Sequence, residues 1–214
     1  MSKPASEILK AEALDASGKT AVAYEKLKLF YASEPDPALY KPLLQYGSKL
    51  NKSIAEIDKD IWFVRDTMSK PATPFDLKKY IGNGSISLDD CKGKVVLITY
   101  WFPGCGPCRG EFPHFENVVR KFRNKDFLYV GINIVPEQNA YVVPFMKSSH
   151  YSFIPIEDFP DRKKGNLDNR GAAPVNFLLD QKGNIVFSRF RTNEHNEQVL
   201  EEMISSLLRR GNKK

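Results

Sequence analysis

The sequence predicts an α/β domain with a central mixed sheet flanked by helices, preceded by an N-terminal helical segment. Residues 94–100 form a continuous apolar and β-branched run typical of a buried strand, and residues 111–122 carry apolar side chains at helical spacing. Residues 127–135 are the next apolar run, so a right-handed crossover predicts parallel pairing. Two further apolar runs, 175–179 and 185–191, are joined by a short polar turn and predict an antiparallel pair.

The composition is that of a globular protein with a substantial core. Of the 214 residues, 42% are hydrophobic and 12% are aromatic, and 32 basic against 26 acidic residues leave a net charge of +6. The basic excess lies in short runs such as 162–164 and 209–214, without interleaved aromatic side chains. We therefore expect solvated surfaces and no nucleic-acid partner. No apolar run is long enough for a transmembrane segment, and residues 1–18 hold no signal-peptide hydrophobic region.

Residues 1–70 are predicted to form a helical appendage. Apolar spacing indicates four helices: one over 37–50, one over 54–68, one carrying Ile8, Leu9 and Leu14, and one ending near Pro35 that carries Ala21, Tyr24, Leu27, Leu29 and Tyr31. The paired helices are similar to a tetratricopeptide repeat, but no second copy follows, so a plain helical appendage is the preferred interpretation. A linker over 69–74, with two prolines, separates it from a second domain over 71–214. That domain is expected to begin with a hairpin around Gly82-Asn83-Gly84.

Two cysteines separated by Gly-Pro lie on the turn from the predicted buried strand into the following helix. Cys105 falls just before the first helical turn, where unpaired N–H groups and the helix dipole favour a thiolate. Cys108 lies one turn along the same helix, so the two sulfurs can meet without backbone movement. Pro107 fits the first turn because its missing N–H would be unpaired there, and Gly106 leaves the approach to Cys105 open. This pattern predicts a reactive dithiol.

A zinc site is the main alternative for a Cys-x-x-Cys pair, and it needs two more ligands. Only Cys91 and three histidines remain, and none forms a second pair at ligand spacing. We therefore expect no metal and no cofactor. Cys91, in a polar turn, is interpreted as a passive, partly exposed cysteine, and His114, next to Pro113, as a surface side chain rather than a catalytic base.

These motifs resemble the active site of the thioredoxin superfamily, and more narrowly the TlpA-like (ResA-like) thiol–disulfide oxidoreductases. The resemblance covers about residues 72–210. It rests on these stretches: Gly93-Lys94-Val95-Val96-Leu97-Ile98, Trp101, Cys105-Gly106-Pro107-Cys108-Arg109, Glu111-Phe112-Pro113, and Ala173-Pro174-Val175-Asn176-Phe177-Leu178-Leu179-Asp180.

The resemblance implies a thioredoxin-like fold and a defined set of site residues. They are Cys105 and Cys108 as catalytic residues, Trp101, Gly104, Gly106 and Pro107 in the active-site loop, and Ala173 with a cis Pro174 in substrate binding. Two positions depart from the family. Gly104 stands where the family usually has Trp, which alters the partner-facing surface. Thr99 stands where many thioredoxins bury an Asp, so proton transfer at Cys108 needs another group or water.

The expected function is thiol–disulfide exchange that reduces protein or peptide disulfides, with an electron-donating thiol–disulfide partner. By resemblance the expected location is the periplasm or cell envelope, with a leader absent from this chain; a native N-terminus would instead indicate the cytoplasm. Two alternatives remain. A peroxiredoxin-like peroxide reductase would need a Thr where Phe102 stands. A thioredoxin-like binding module with a vestigial redox site would not need either cysteine.

Overall fold

The computed structural model describes residues 2–211, except for the side chain of Arg162; residues 212–214 of the basic tail lie outside that range. The chain divides into two compact units, Met1–Ser69 and Lys70–Lys214. The division into a helical appendage over residues 1–70 and a second domain over residues 71–214 stays a prediction.

The first unit consists of four helices. They are α1 (Lys3–Ala16), α2 (Thr20–Ser33), α3 (Pro37–Lys49) and α4 (Ile54–Met68). Side-chain caps explain where three of them begin, because such caps satisfy N–H groups that a helix leaves unpaired. Ser2 and Asp36 accept backbone N–H groups at α1 and α3, and Ser53 forms a reciprocal capping box with Glu56 at α4.

The core of the helical unit is built from the inward faces of these helices. Its buried members include Tyr24, Leu27, Leu39, Leu43, Ile57 and Ile61. The predicted helices are confirmed, but two residues of their apolar stripes point outward: Leu9 is 52% exposed and Leu29 is 53% exposed. Both lie beside inward residues in sequence, where a spacing argument alone resolves the face poorly.

The second unit is an α/β fold with a mixed sheet. Its strands are β1 (Lys70–Pro71), β2 (Asp76–Lys78), β3 (Ser85–Ser87), β4 (Val95–Trp101), β5 (Phe127–Asn133), β6 (Ile154–Ile156), β7 (Val175–Leu179) and β8 (Asn184–Phe190). Its helices are α5 (Gly106–Val119), α6 (Asn139–Ser149) and α7 (Glu197–Gly211), with short 3-10 turns at 120–122, 136–138 and 162–164.

The main sheet has the strand order β1-β8-β7-β4-β5-β6, and β2 pairs with β3 in a separate hairpin. Strand β4 lies at the centre, parallel to β5 and antiparallel to β7, and β6 extends the sheet parallel to β5. All seven residues of β4 are buried, as its continuous apolar run predicts. On one face Val96, Ile98 and Tyr100 pack into an apolar cluster with hairpin residues that include Leu77 and Ile86.

The predicted hairpin, the parallel crossover and the antiparallel pair are therefore confirmed. One element is new, because Lys70 and Pro71 of the expected linker pair with β8 as a short edge strand. A proline is tolerated there because an edge strand needs no hydrogen bond on its outer side. No helix within residues 2–211 combines the length and the apolar character that crossing a membrane requires.

Candidate active site

The candidate site lies where β4 ends and α5 begins. Residues 102–105 form a tight turn closed by the Cys105 N–H, which donates to the Phe102 carbonyl at 2.9 Å. Cys105 then caps the N-terminus of α5, and Cys108 lies in its first turn. The two residues are joined by a disulfide, with their Cα atoms 5.3 Å apart. This Cα separation falls within the usual range for disulfides.

The sulfur of Cys105 occupies the position that a capping side chain takes in other helices. It accepts the backbone N–H of Cys108 at 3.2 Å, and the Cys105 carbonyl accepts the Arg109 N–H at 3.1 Å. The first N–H groups of a helix have no partners within the helix and carry partial positive charge. In the reduced protein this N–H group and the helix dipole favour the thiolate form of Cys105.

The surroundings of the dithiol are open on the side of the loop glycines. The side chains themselves are nearly enclosed, with Cys105 2% exposed and Cys108 fully buried. Gly104, Gly106 and Pro107 are all exposed, and a Cβ on Gly106 would meet no atom within 4 Å. A partner can therefore approach Cys105 over the glycine side of the loop.

Arg109 holds the turn as well as adding charge. Its Nε and Nη2 atoms both donate to the Pro103 carbonyl, at 3.2 and 2.9 Å. Its guanidinium also lies over the ring of Phe145 on α6, 5.3 Å from the centroid. The positive charge of this residue can be read from the sequence, whereas its contact with Pro103 depends on a turn whose shape the sequence does not show.

Trp101 lies beneath the loop rather than on its surface. It is the last residue of β4, is fully buried, and packs against the rings of Phe112, Phe145 and Phe153 with centroids 5.0–5.8 Å away. Gly131 on β5 makes room for it, because a Cβ there would come within 2.8 Å of the indole Nε1. Trp101 therefore packs beneath the turn and supports it.

The Ala173–Pro174 peptide bond is cis and leads into β7. Strand β7 pairs with β4 in a register that sets Val175 opposite Tyr100. Pro174 therefore lies beside the end of β4 that continues into the dithiol turn. Pro174 is buried and Ala173 is half-buried, so the main chain just before the proline is accessible near the site.

A buried polar chain that the sequence analysis missed runs from β4 to α5. Thr99 donates its hydroxyl to the Asn176 side-chain carbonyl at 2.7 Å, and the Asn176 amide donates to a Glu111 carboxylate oxygen at 3.1 Å. The other oxygen of Glu111 accepts the Thr192 N–H at 2.6 Å and the Arg191 Nε at 3.2 Å. The signals for it in the sequence were polar residues at apolar positions: Glu111 in the helix, and Thr99 and Asn176 within the two apolar strands.

Burial shifts the pKa of the Glu111 carboxyl group. Glu111 is only 2% exposed, and desolvation raises its pKa above the ordinary value of 4.5 although its hydrogen bonds to Thr192, Asn176 and Arg191 oppose the shift. Glu111 lies three residues after Cys108 on the same helix, hence one turn further along the same face. It is therefore a buried carboxyl group one helical turn from Cys108, with a pKa raised by burial.

Two sequence interpretations are corrected. Cys91 is 1% exposed and belongs to the apolar cluster under β4, so it is buried rather than partly exposed, and burial raises the pKa of its thiol to about 11. His114 is half-buried rather than a surface side chain, with Nδ1 2.7 Å from a carboxylate oxygen of Glu197 on α7.

Across residues 2–211, no cluster of three or more His, Cys, Asp or Glu is arranged to hold a metal ion.

Comparison with known sequences finds relatives that are thiol-disulfide oxidoreductases. ResA, a thiol-disulfide oxidoreductase of Bacillus subtilis (strain 168), is 34% identical over 101 residues, which cover 47% of this chain and 55% of ResA. The sporulation thiol-disulfide oxidoreductase A of the same organism is 32% identical over 122 residues, covering 54% of this chain and 71% of that protein. The chain thus spans little more than half the length of ResA.

Solved structures support the fold. A thiol:disulfide interchange protein of the thioredoxin family from Chlorobium tepidum TLS matches with a TM-score of 0.55 and 24% identity, over 65% of this chain and 96% of that one. A DsbF homologue from Corynebacterium diphtheriae matches with a TM-score of 0.58 and 23% identity, over 66% and 89%. The predicted thioredoxin-like fold is confirmed.

A family model described as Redoxin matches residues 67–204, which is more than half of the chain. This span contains the whole main sheet, the dithiol turn and the cis-proline corner. The predicted resemblance to ResA-type thiol–disulfide oxidoreductases is confirmed by the same set of relatives. The chain belongs to the Redoxin family.

Proposed function

We propose that this chain is a thiol–disulfide oxidoreductase that reduces disulfides in proteins or peptides. The observation that carries the proposal is the position of the Cys105 sulfur at the N-terminus of α5, bonded to a sulfur one helical turn away. Its named relatives are thiol-disulfide oxidoreductases, which supports the same reaction class. The structure holds the oxidised form, the state in which the dithiol has already given up two electrons.

The first step is attack by the Cys105 thiolate on one sulfur of a substrate disulfide. A Cys105–substrate disulfide forms, and the second substrate sulfur leaves as a thiolate that takes a proton from water. Cys105 is the better candidate nucleophile of the pair because its sulfur lies at the cap of the helix and accepts an N–H group there, whereas Cys108 is wholly buried.

The second step is resolution of this mixed disulfide. Cys108 loses its proton and attacks the Cys105 sulfur, which forms the intramolecular disulfide and releases the first substrate sulfur as a thiol. We propose that Glu111 receives or relays the proton of Cys108, since it is a buried carboxyl group one turn away on the same helix and Thr99 offers no acid in its place.

Substrate binding is assigned to the rim formed by Gly104, Gly106 and Pro107 and to the corner at Ala173 and Pro174. An extended peptide can hydrogen-bond with exposed main chain, and the corner beside the end of β4 offers main chain at Ala173. We also propose that a separate dithiol protein reduces the disulfide again after each turnover, and that the protein works in the periplasm or cell envelope, as the TlpA-like resemblance implies.

The test is reduction of insulin disulfides with dithiothreitol as electron donor. The unaltered chain should accelerate the reaction and Cys105→Ser should lose the acceleration. Cys108→Ser, reduced beforehand and mixed with insulin after dithiothreitol has been removed, should accumulate a mixed disulfide with insulin. Cys91→Ala is the matched control, since it removes a cysteine remote from the turn and should keep the rate. A Cys105→Ser variant as active as the unaltered chain would refute the proposal.

The direction of electron flow is tested by equilibrating the chain with glutathione buffers. A reductase should have a potential near that of thioredoxin, about −270 mV, whereas a strong disulfide donor lies near about −120 mV. A value near the second figure would reverse the proposed direction while leaving the exchange chemistry intact.

A further inference from the structure

A side chain from the β5–α6 connection reaches the active-site turn. The Gln138 Oε1 accepts the Gly104 N–H at 2.8 Å. A Cβ on Gly104 would lie 3.1 Å from that Oε1 and 3.2 Å from Nε2, closer than ordinary van der Waals contact. A Cβ at position 104 would therefore press on the Gln138 amide, which would have to shift by a few tenths of an ångström.

Gln138 and Arg109 hold the two ends of one peptide group. Arg109 donates to the Pro103 carbonyl, and Gln138 accepts the Gly104 N–H, so both polar atoms of the 103–104 peptide are bonded to side chains. This peptide lies directly before Cys105. Its orientation fixes the path of the chain into the capping position where the Cys105 sulfur meets the Cys108 N–H.

The segment that carries Gln138 is itself held in place. The Gln138 N–H donates to the Val135 carbonyl at 2.9 Å. Asn133, 1% exposed at the end of β5, donates to the Asn139 side-chain oxygen at 2.8 Å, and the Tyr80 hydroxyl donates to the same oxygen at 2.5 Å. The hydrogen bonds on both sides of Gln138 give its side chain a fixed base from which to reach Gly104.

We propose that Gln138 is a positioning residue for Cys105, acting through the 103–104 peptide, and that glycine at position 104 lets the Gln138 amide approach this peptide closely. The proposal rests on the proposed function, since it concerns the same dithiol. Without Gln138 the peptide is held at its carbonyl end only, so the Cys105 sulfur meets the Cys108 N–H less often and its thiolate is less favoured.

The test measures alkylation of Cys105 by iodoacetamide in the reduced protein as a function of pH, read by peptide mass spectrometry. For Gln138→Ala we expect the midpoint of the pH profile to move upward and the rate near neutral pH to fall about 2- to 10-fold, the range expected for loss of one hydrogen bond. Gln138→Met, which keeps the length but cannot accept the bond in the same way, should behave alike. Gln181→Ala is the control, because its Nε2 donates to the Leu207 carbonyl away from the turn.

A double-mutant cycle tests the link with Gly104. Gly104→Ala should slow Cys105 alkylation when Gln138 is present and should have little further effect in the Gln138→Ala background. Additive effects, or an unchanged pH profile in Gln138→Ala and Gln138→Met, would overturn the inference. Alkylation needs no substrate disulfide, so failure of the proposed function is seen separately, as an unaltered chain that does not accelerate insulin reduction.

Discussion

A cysteine lies near each end of strand β4. The two thiols are equally buried, yet we expect them to differ in reactivity. Cys91 precedes the strand and Cys105 follows it, and their exposed fractions are almost equal at 1% and 2%. Cys91 lies in an apolar cluster, where burial raises the pKa of its thiol to about 11. Cys105 lies at the start of a helix, where its sulfur accepts a backbone N–H. The exposed fractions are alike, so the expected difference in reactivity comes from what surrounds each sulfur: an apolar cluster at Cys91 and a helix N-terminus at Cys105.

The largest expected difference between the two ends is in thiol labelling. In the reduced native protein at pH 8, iodoacetamide should modify Cys105 at least about 100-fold faster than Cys91, since a thiol with a pKa of about 11 is ionised in roughly one molecule in a thousand at that pH. Denaturation in guanidinium chloride should bring the two rates together. Comparable labelling in the native state would show that Cys91 is accessible and break the comparison.

The second prediction concerns the buried carboxyl group beside the dithiol. Glu111→Gln should slow the attack of Cys108 on a Cys105–thionitrobenzoate disulfide about 10- to 100-fold. In the proposed mechanism the Glu111 carboxylate takes up the proton of the Cys108 thiol, and an amide cannot do so. Release of thionitrobenzoate followed by absorbance measures this step. Glu116→Gln is the matched control: Glu116 is also buried on α5, but it accepts hydrogen bonds from Ser152 and has no link to Asn176. Equal rates in the two variants would exclude Glu111 from proton transfer.

The same carboxyl group should leave a mark on stability. Burial raises the pKa of Glu111, so above its ordinary value of 4.5 the folded chain retains a proton that the unfolded chain releases. The free energy of unfolding of the unaltered chain should therefore fall relative to that of Glu111→Gln as pH rises from about that value through the raised pKa. Urea unfolding of both proteins over a pH series measures the difference. If the unaltered chain instead becomes more stable relative to Glu111→Gln as pH rises, the hydrogen bonds to Glu111 outweigh the effect of its burial on the pKa.

The position of the dithiol at the carboxyl end of β4 could be predicted from the sequence because the residues that define it are close together in the chain. An apolar run, two cysteines three residues apart and a proline in the first helical turn lie within residues 94–108, and the cis-proline corner is carried by an equally local motif. Their roles in catalysis and binding stay predictions. The expected turn and helix are confirmed because few local conformations satisfy all these residues together.

What the sequence did not give depends on residues far apart in the chain. Cys91 was predicted to be partly exposed because its neighbours are polar, yet hairpin residues and β4 bury it. The contact between Gly104 and Gln138 spans 34 residues, and the bond from Thr192 to Glu111 spans 81. Sequence periodicity reports the face of one element and contains no information on which distant side chain meets it.

A further comparison between the ends of β4 concerns stability. Cys91→Ser should lower the free energy of unfolding by about 1–3 kcal/mol, because it introduces a hydroxyl group into an apolar cluster. The potential of the Cys105–Cys108 couple should stay within error of that of the unaltered chain. Chemical denaturation and glutathione equilibration give the two numbers. A changed potential would mean that the two ends of β4 are coupled.

The smallest expected effect is at Gly93, in the turn between Cys91 and β4. Gly93 has a φ of +82° and a Cβ there would meet no atom within 4 Å, so Gly93→Ala changes only the backbone energy and should cost about 1 kcal/mol. Gly110 on α5 is the matched control, with equally open surroundings, and there Gly110→Ala should stabilise by up to about 1 kcal/mol because alanine favours a helix. Denaturant unfolding of both variants measures the sign. Opposite signs would attribute the cost at Gly93 to its left-handed backbone, whereas equal signs would mean that the turn before β4 relaxes to accept alanine.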